Sequence, residues 1–383
     1  MSREAEVAAT AVSKDRAREK VIVRTSFIGI LANVALAGFK AAVGIFSNSI
    51  AVILDAVNNL SDALSSLITI IGAKLAGKPA DKKHPYGYGR TEYMSEFLVA
   101  AIVLYAGITS LVESVKKIME PEVPSYSKVS LIIIAFAIAV KLILGLYVKK
   151  KGESVNSGSL VASGSDAFFD AILSFSVLAC AIVYIIFGLS LEPFVGAAIS
   201  IFIIKSGIEM IKEALDEILG GRVGQEISSK IKSIAARNPE VLGVYDVVLN
   251  NYGPDKYSGS LHVEVADSMN AGQIDSLTRK IQNDVFTEAQ ILIVAVGIYA
   301  SDTGDGEAAV IQRDVRKKVM GHDGVLQMHG FYIDMRKKIL TFDVIIDYAV
   351  KGRKEIYNSI VKEICASYSD YSVNVTLDVD ASD

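Results

Sequence analysis

Oxygen-bearing side chains recur at helical spacing inside two apolar stretches of the sequence. The stretch SNSIAVILDAVNNLSDALSS carries polar residues at positions i, i+3, i+4 and i+7, which share one face of a helix: Asp55, Asn58, Asn59 and Asp62. The stretch SLVASGSDAFFDAILSF places Asp166 and Asp170 four residues apart, again on one face. Carboxylates gathered in an apolar environment repel one another unless they bind a cation or hold protons. The pattern therefore predicts a cation-binding site, in preference to hydrogen bonding that only joins helices.

These acids belong to two of six long apolar segments. Hydrophobic residues make up 51% of the 383 residues, and the mean hydropathy is +0.39. A helix of about 20 apolar residues crosses a bilayer. The acids lie roughly 12–18 Å along such helices, near the bilayer midplane. After an N-terminal segment, 1–21, we expect a six-helix transmembrane transport domain at 22–216, with spans near 22–45, 50–76, 93–117, 127–148, 158–187 and 192–214.

Positively charged residues predict how these helices are oriented. Cytoplasmic loops carry an excess of Lys and Arg. Three of the segments outside the apolar stretches are rich in these residues: the N-terminal segment, the loop between the second and third spans, and Lys149, Lys150 and Lys151. We therefore expect a multi-pass plasma-membrane protein with both termini in the cytoplasm.

The pattern changes to short strands and amphipathic helices from Gln225 onward. We predict helix 224–238, strands 243–250 and 258–266, helix 271–287 and strand 291–299. After the linker SDTGDGE, the same order recurs as helix 307–320, strands 325–334 and 339–347, helix 352–368 and strand 372–379. VLGVYDVVL and VLQMHGFYI occupy matching places, which indicates an internal duplication. The expected domains are two α+β modules of ferredoxin-like type, at 220–300 and 307–383.

Composition excludes several classes of function. The net charge of −4 argues against a nucleic-acid partner. With only Cys180 and Cys365, neither a disulfide scaffold nor a cysteine-ligated zinc module is expected. Neither half contains a nucleophile–base pair or a nucleotide-binding loop, so we expect no enzyme and no cofactor.

Three motifs together resemble the cation diffusion facilitator family over about residues 20–300. They are SNSIAVILDAVNNLSDA, PADKKHPYGYGRTEY and SDAFFDA. The resemblance implies a homodimer that exports divalent metal ions in exchange for protons, with six transmembrane helices and a ferredoxin-like cytoplasmic domain. Matched position by position, it implies a transport site made of Asn58, Asp62, Asp166 and Asp170.

The expected ligands are all oxygen atoms, whereas zinc transporters of this family usually have His and Asp on each helix. Carboxylate and carbonyl oxygens suit manganese, and imidazole suits zinc. The pattern resembles the manganese-exporting branch, so Mn²⁺ is the expected cargo, carried by alternating access about the midplane site. The alternatives are a Zn²⁺, Fe²⁺ or Co²⁺ exporter of the same family, a proton-coupled transporter of organic solutes, and a metal-sensing membrane scaffold.

Other residues are candidates for additional metal sites or for roles along the transport path. The resemblance matches Asp81 and His84 to a cytoplasmic metal site, although Tyr88 stands where His is common. His262 matches one ligand of a binuclear zinc site, but the other expected histidines are absent.

Asp55 is either a stepping stone on the exit path or a hydrogen-bonding residue. We expect Lys141 to reach toward the lipid headgroups and His329 to lie exposed near a turn.

Overall fold

The computed structural model describes residues 3–46, 50–120, 128–187, 189, 191–221 and 224–378. They divide into two compact units. Ala8–Gly221 with Asn251–Lys256 form the membrane unit, and Arg222–Asn250 with Tyr257–Asp383 and Met1–Val7 form the α/β unit. The expected fold class, a helical membrane part followed by small mixed sheets with helices, is confirmed.

Six long helices, apart from residues 3–7 of the first, make up the membrane unit: α1 (Arg3–Phe46), α2 (Ile50–Ala76), α3 (Thr91–Met119), α4 (Lys128–Ser154), α5 (Gly158–Phe187) and α6 (Glu192–Leu219). Among the described residues, five segments are long and apolar enough to cross a membrane, one in each helix except α2. The chain is therefore a membrane protein. α1 begins 19 residues before its predicted span, at Arg3, because residues 3–21 are mostly good helix formers.

Glycines let α4 and α5 approach closely. A Cβ atom added to Gly145 of α4 would lie 2.8 Å from the backbone nitrogen of Phe168 in α5. A Cβ on Gly164 of α5 would lie 2.4 Å from the backbone nitrogen of Lys149. Small residues at a helix contact allow this spacing in membranes. The contact holds the C-terminal half of α4 against the part of α5 that carries Asp166.

A buried ion pair connects α1 with α3. The guanidinium of Arg18 donates two hydrogen bonds, 2.7 and 2.8 Å long, to the carboxylate of Glu92. The same guanidinium donates to the carbonyl of Val155, after α4. Glu92 is fully buried, so both its charge and its hydrogen-bonding capacity depend on Arg18.

Two modules of equal topology form the α/β unit. The first contains α7 (Gln225–Ala235), β1 (Val241–Asn251), β2 (Tyr257–Ala266), α8 (Ala271–Ala289) and β3 (Leu292–Ser301). The second contains α9 (Glu307–Val319), β4 (Val325–Asp334), β5 (Ile339–Ile346), α10 (Arg353–Ser367) and β6 (Ser372–Leu377). The sheet orders are β1-β2-β3 and β4-β5-β6. β2 is parallel to β3, and β5 lies antiparallel to β4 and parallel to β6.

The hydrophobic core of each module lies on one face of its sheet. Leu261 and Val263 of β2 pack with the helices, and Phe342 of β5 does the same in the second module. Successive side chains of a strand point to opposite faces. His262 and Asp343, next to these core residues in sequence, therefore lie on the sheet faces without helices.

Candidate functional site

Charged side chains from three helices meet inside the membrane unit. Nζ of Lys141 in α4 lies 2.5 Å from Oδ2 of Asp62 in α2. It also donates a hydrogen bond to Oδ2 of Asp170 in α5. The side chains of Lys141 and Asp62 are largely buried, and that of Asp170 is 32% exposed. An unpaired buried charge costs several kcal/mol. The ammonium group stabilises this cluster because it balances the charge of two carboxylates that would otherwise repel each other.

Asp166 lies one helical turn before Asp170 and is buried, with 6% of its surface exposed. α5 contacts both α2 and α4, which explains how acids distant in sequence come together. The structure thus gathers Asp62 and Asp170 on a single lysine and places Asp166 on the adjacent turn. Their role as metal ligands stays a prediction.

The expected position of Lys141 was wrong. It lies in the middle of α4, 13 residues from either end of the helix. It is buried and its ammonium binds acids instead. A lysine within an apolar segment was the signal in the sequence that Lys141 needs an acidic partner.

Two predicted residues, Asn58 and Asp55, have side chains outside the described part of the structure, although both lie within α2. The next residue, Asn59, is 1% exposed, and its amide has no hydrogen-bond partner among the described residues. A buried amide without a partner is unfavourable. Asn59 is therefore a buried polar residue of α2 that was not among the predicted ligands.

Both oxygens of Asp81 are used within the loop between α2 and α3. Oδ1 accepts hydrogen bonds from the backbone N–H groups of Lys83 and His84, and Oδ2 accepts one of 2.7 Å from the Tyr88 hydroxyl. The Tyr88 hydrogen bond is the main reason that the pKa of Asp81 is lowered. Nδ1 of His84 lies 3.6 Å from Oδ1 of Asp81. This geometry fits a structured loop, and metal binding by the pair remains a prediction.

His262 lies in β2 of the α/β unit, and its ring stacks on Tyr299 with centroids 4.6 Å apart. Its Nδ1 is 3.1 Å from Oδ2 of Asp246 in β1. The Tyr299 hydroxyl donates a 2.6 Å hydrogen bond to the same oxygen. Burial raises the pKa of Asp246, but contacts with His329 and Tyr299 lower it by more, and the carboxylate form is favoured. Asp246 is the acidic neighbour that the sequence did not assign to His262.

Residues 26–219 match the sequence model of a family described as the cation efflux transmembrane domain. This range contains α2, α4 and α5, and hence the whole cluster around Lys141.

Curated relatives are similar over most of their own lengths. An uncharacterized transporter of Methanocaldococcus jannaschii is 27% identical over 67% of this chain and 90% of its own. The manganese efflux system protein MneP of Bacillus subtilis is 23% identical over 74% of this chain and 98% of its own. A cadmium, cobalt and zinc/H(+)-K(+) antiporter of Bacillus velezensis is 23% identical over 70% and 84%. These relatives are transporters, not enzymes.

Proposed function

The chain belongs to the cation efflux family, and on that premise we propose that it exports Mn²⁺ in exchange for protons. The observation that supports this most strongly is the convergence of Asp62 and Asp170 on the ammonium of Lys141. A buried group of carboxylates that already holds one cation has the charge and the ligand atoms to hold another. The ion would bind between α2 and α5, where Asp166 supplies a further oxygen.

Charge balance favours a divalent ion at this site. With all three acids deprotonated, Asp62, Asp166 and Asp170 contribute −3 and Lys141 contributes +1. A divalent cation bound beside the lysine brings the local charge to zero. Neutrality matters because uncompensated charge is expensive in an apolar interior. Lys141 thus acts as the counter-ion of the metal-free site and competes with the metal for two of its ligands.

The ligand type supports manganese within this family. The acids of α2 and α5 offer only oxygen atoms, which suit Mn²⁺ better than they suit zinc or copper. The name of the similar Bacillus subtilis protein also refers to manganese efflux. Cobalt and zinc remain the competing cargoes, because another relative is named for them.

Proton exchange would follow from the same carboxylates. In our proposal the site opens to the cytoplasm with its acids deprotonated and binds the ion. It then opens outward, where protonation of one or more of Asp62, Asp166 and Asp170 releases the ion. The proposed arrangement is a homodimer in the plasma membrane with both termini cytoplasmic.

We expect Asn58→His to shift transport from Mn²⁺ toward Zn²⁺. The substitution replaces an amide with a neutral imidazole nitrogen and leaves the charge of the site unchanged. A tenfold shift in the Mn²⁺-to-Zn²⁺ ratio needs only about 1.4 kcal/mol of differential binding. Competition between the two metals for uptake into proteoliposomes, at matched free concentrations, measures the ratio.

Asn58→Gln is the matched control, since it keeps the amide and should keep the preference for Mn²⁺. If Asn58→His transports metal with the wild-type ratio, then Asn58 does not determine selectivity. If wild-type protein prefers Zn²⁺ over Mn²⁺ in the same assay, the manganese assignment is incorrect.

A further inference from the structure

Side chains from both modules of the α/β unit meet around one imidazole. Nε2 of His329 in β4 lies 2.9 Å from Oδ1 of Asp246 in β1. It also lies 3.3 Å from Oδ2 of Asp378, which follows β6. One ligand atom from each of the three residues can be chosen so that all lie within 4.8 Å of one another. Among the described residues, no other group of His, Cys, Asp and Glu meets that criterion.

His329 is not in the exposed turn that the sequence suggested. Its side chain is completely buried, and its ring stacks on Tyr245 with centroids 5.3 Å apart. Despite the short distances, neither ring nitrogen makes a properly directed hydrogen bond to any described residue. A buried polar atom normally has a partner. Nε2 is therefore a buried group that faces two carboxylates without being satisfied by either.

Negative charge surrounds this ring. Asp343 is paired with His329 across β4 and β5, in addition to the contacts with Asp246 and Asp378. Burial lowers the pKa of His329, but these carboxylates raise it by more. Gly330, with φ of 63°, leaves room here, since a Cβ at that position would lie 2.8 Å from Oδ2 of Asp343. Three acids thus attract positive charge to a place that holds one imidazole.

We propose that Asp246, His329 and Asp378 bind a divalent transition-metal ion, at a site separate from the acids in the membrane. Ligand atoms at 2.0–2.2 Å from one ion lie about 3.0–3.5 Å apart in common geometries. The two distances from Nε2, 2.9 and 3.3 Å, are close to that range. One imidazole nitrogen with carboxylate oxygens suits Mn²⁺, Co²⁺ or Zn²⁺, with water completing the shell.

Such an ion would join the two modules. Asp246 belongs to the first module, whereas His329 and Asp378 belong to the second. The outer neighbours of Asp246 are already placed for this role: the Tyr299 hydroxyl and Nδ1 of His262 both contact its Oδ2. The hydrogen bond from Tyr299 holds Oδ2, while Oδ1 is directed at His329. Hydrogen bonds that hold a ligand in this way are typical of metal sites.

Cobalt binding to the full-length protein tests the proposal. The purified chain in detergent is stripped with a chelator, and Co²⁺ bound per chain is measured by equilibrium dialysis together with the visible absorption of the ion. We expect His329→Gln and Asp378→Asn each to bind one Co²⁺ fewer than wild type. His322→Gln is the matched control, because His322 pairs with Glu363 outside the cluster and should bind as wild type does.

The acids in the membrane are the same in all of these proteins. The difference between variants therefore reports the α/β unit alone, whatever the transport site proves to be. Asp378 has a side chain that is 35% exposed, so Asp378→Asn decides the matter if His329→Gln fails to fold. Equal Co²⁺ stoichiometry and superimposable spectra for wild type and Asp378→Asn would overturn the proposal.

Discussion

Asp62→Ala should reduce metal transport at least about 100-fold while the protein remains folded. The carboxylate is largely buried and contacts the ammonium of Lys141 at 2.5 Å. Loss of one partner of a buried, hydrogen-bonded charge pair weakens binding by roughly 2–5 kcal/mol. In an equilibrium, about 1.4 kcal/mol corresponds to a factor of ten. Mn²⁺ uptake into proteoliposomes that contain a metal-sensitive dye measures the loss.

Two further variants make this result specific. Asp62→Asn keeps the volume and removes the charge, and it should be as inactive as the alanine variant. Glu209→Ala removes an acid of α6 that is 59% exposed and pairs only loosely with Lys205, at 3.7 Å. It should transport as wild type does. Wild-type flux through a folded Asp62→Ala protein would remove Asp62 from the transport site.

Lys141→Met should tighten Mn²⁺ binding about tenfold and yet slow transport by a similar factor. Binding becomes tighter because the ammonium no longer competes for Asp62 and Asp170. Transport slows because the empty site then holds acids without a counter-ion, so that release of the metal and return of the empty protein become unfavourable. Calorimetric titration with Mn²⁺ measures the affinity, and proteoliposome uptake measures the rate.

Lys205→Met provides the comparison for this pair of measurements. Lys205 also lies in a membrane helix, but its side chain is 72% exposed. Its loss should alter neither affinity nor rate. If Lys141→Met binds and transports Mn²⁺ as wild type does, the lysine is not the counter-ion of the site. A parallel fall in affinity and rate would contradict competition between lysine and metal.

The acids of the membrane site could be predicted from the sequence because their spacing along each helix is a local property. Asp166 and Asp170 share a helix face whatever the tertiary structure, and Asp62 follows from the polar stripe on α2. The pairing of these acids with Lys141 could not be predicted in the same way. The meeting of Lys141 with Asp62 depends on the rotation of α4 against α2 and α5, which the sequence spacing within α4 does not define.

In the α/β unit, too, the local features could be predicted from the sequence and the contacts between distant residues could not. Its element order and duplication follow from local patterns, and the structure reproduces them in both modules. His329 was expected to be exposed near a turn because its spacing from His322 matches no metal-binding motif. The predicted strand 325–334 already contained the residue, and in β4 the ring of Tyr245 from the first module stacks on its imidazole. That burial depends on how the modules pack, which no local pattern describes.

Proton-driven uptake of Mn²⁺ by the wild-type protein tests the central claim most directly. Proteoliposomes with a metal-sensitive dye inside are given a pH gradient, acidic inside, so that protons flow outward. Mn²⁺ is then added outside. Our account predicts that the gradient drives Mn²⁺ to accumulate inside above its external concentration, and that Asp62→Asn abolishes this accumulation. Mn²⁺ entry that only equilibrates, or that is the same with and without the pH gradient, would contradict exchange of metal for protons.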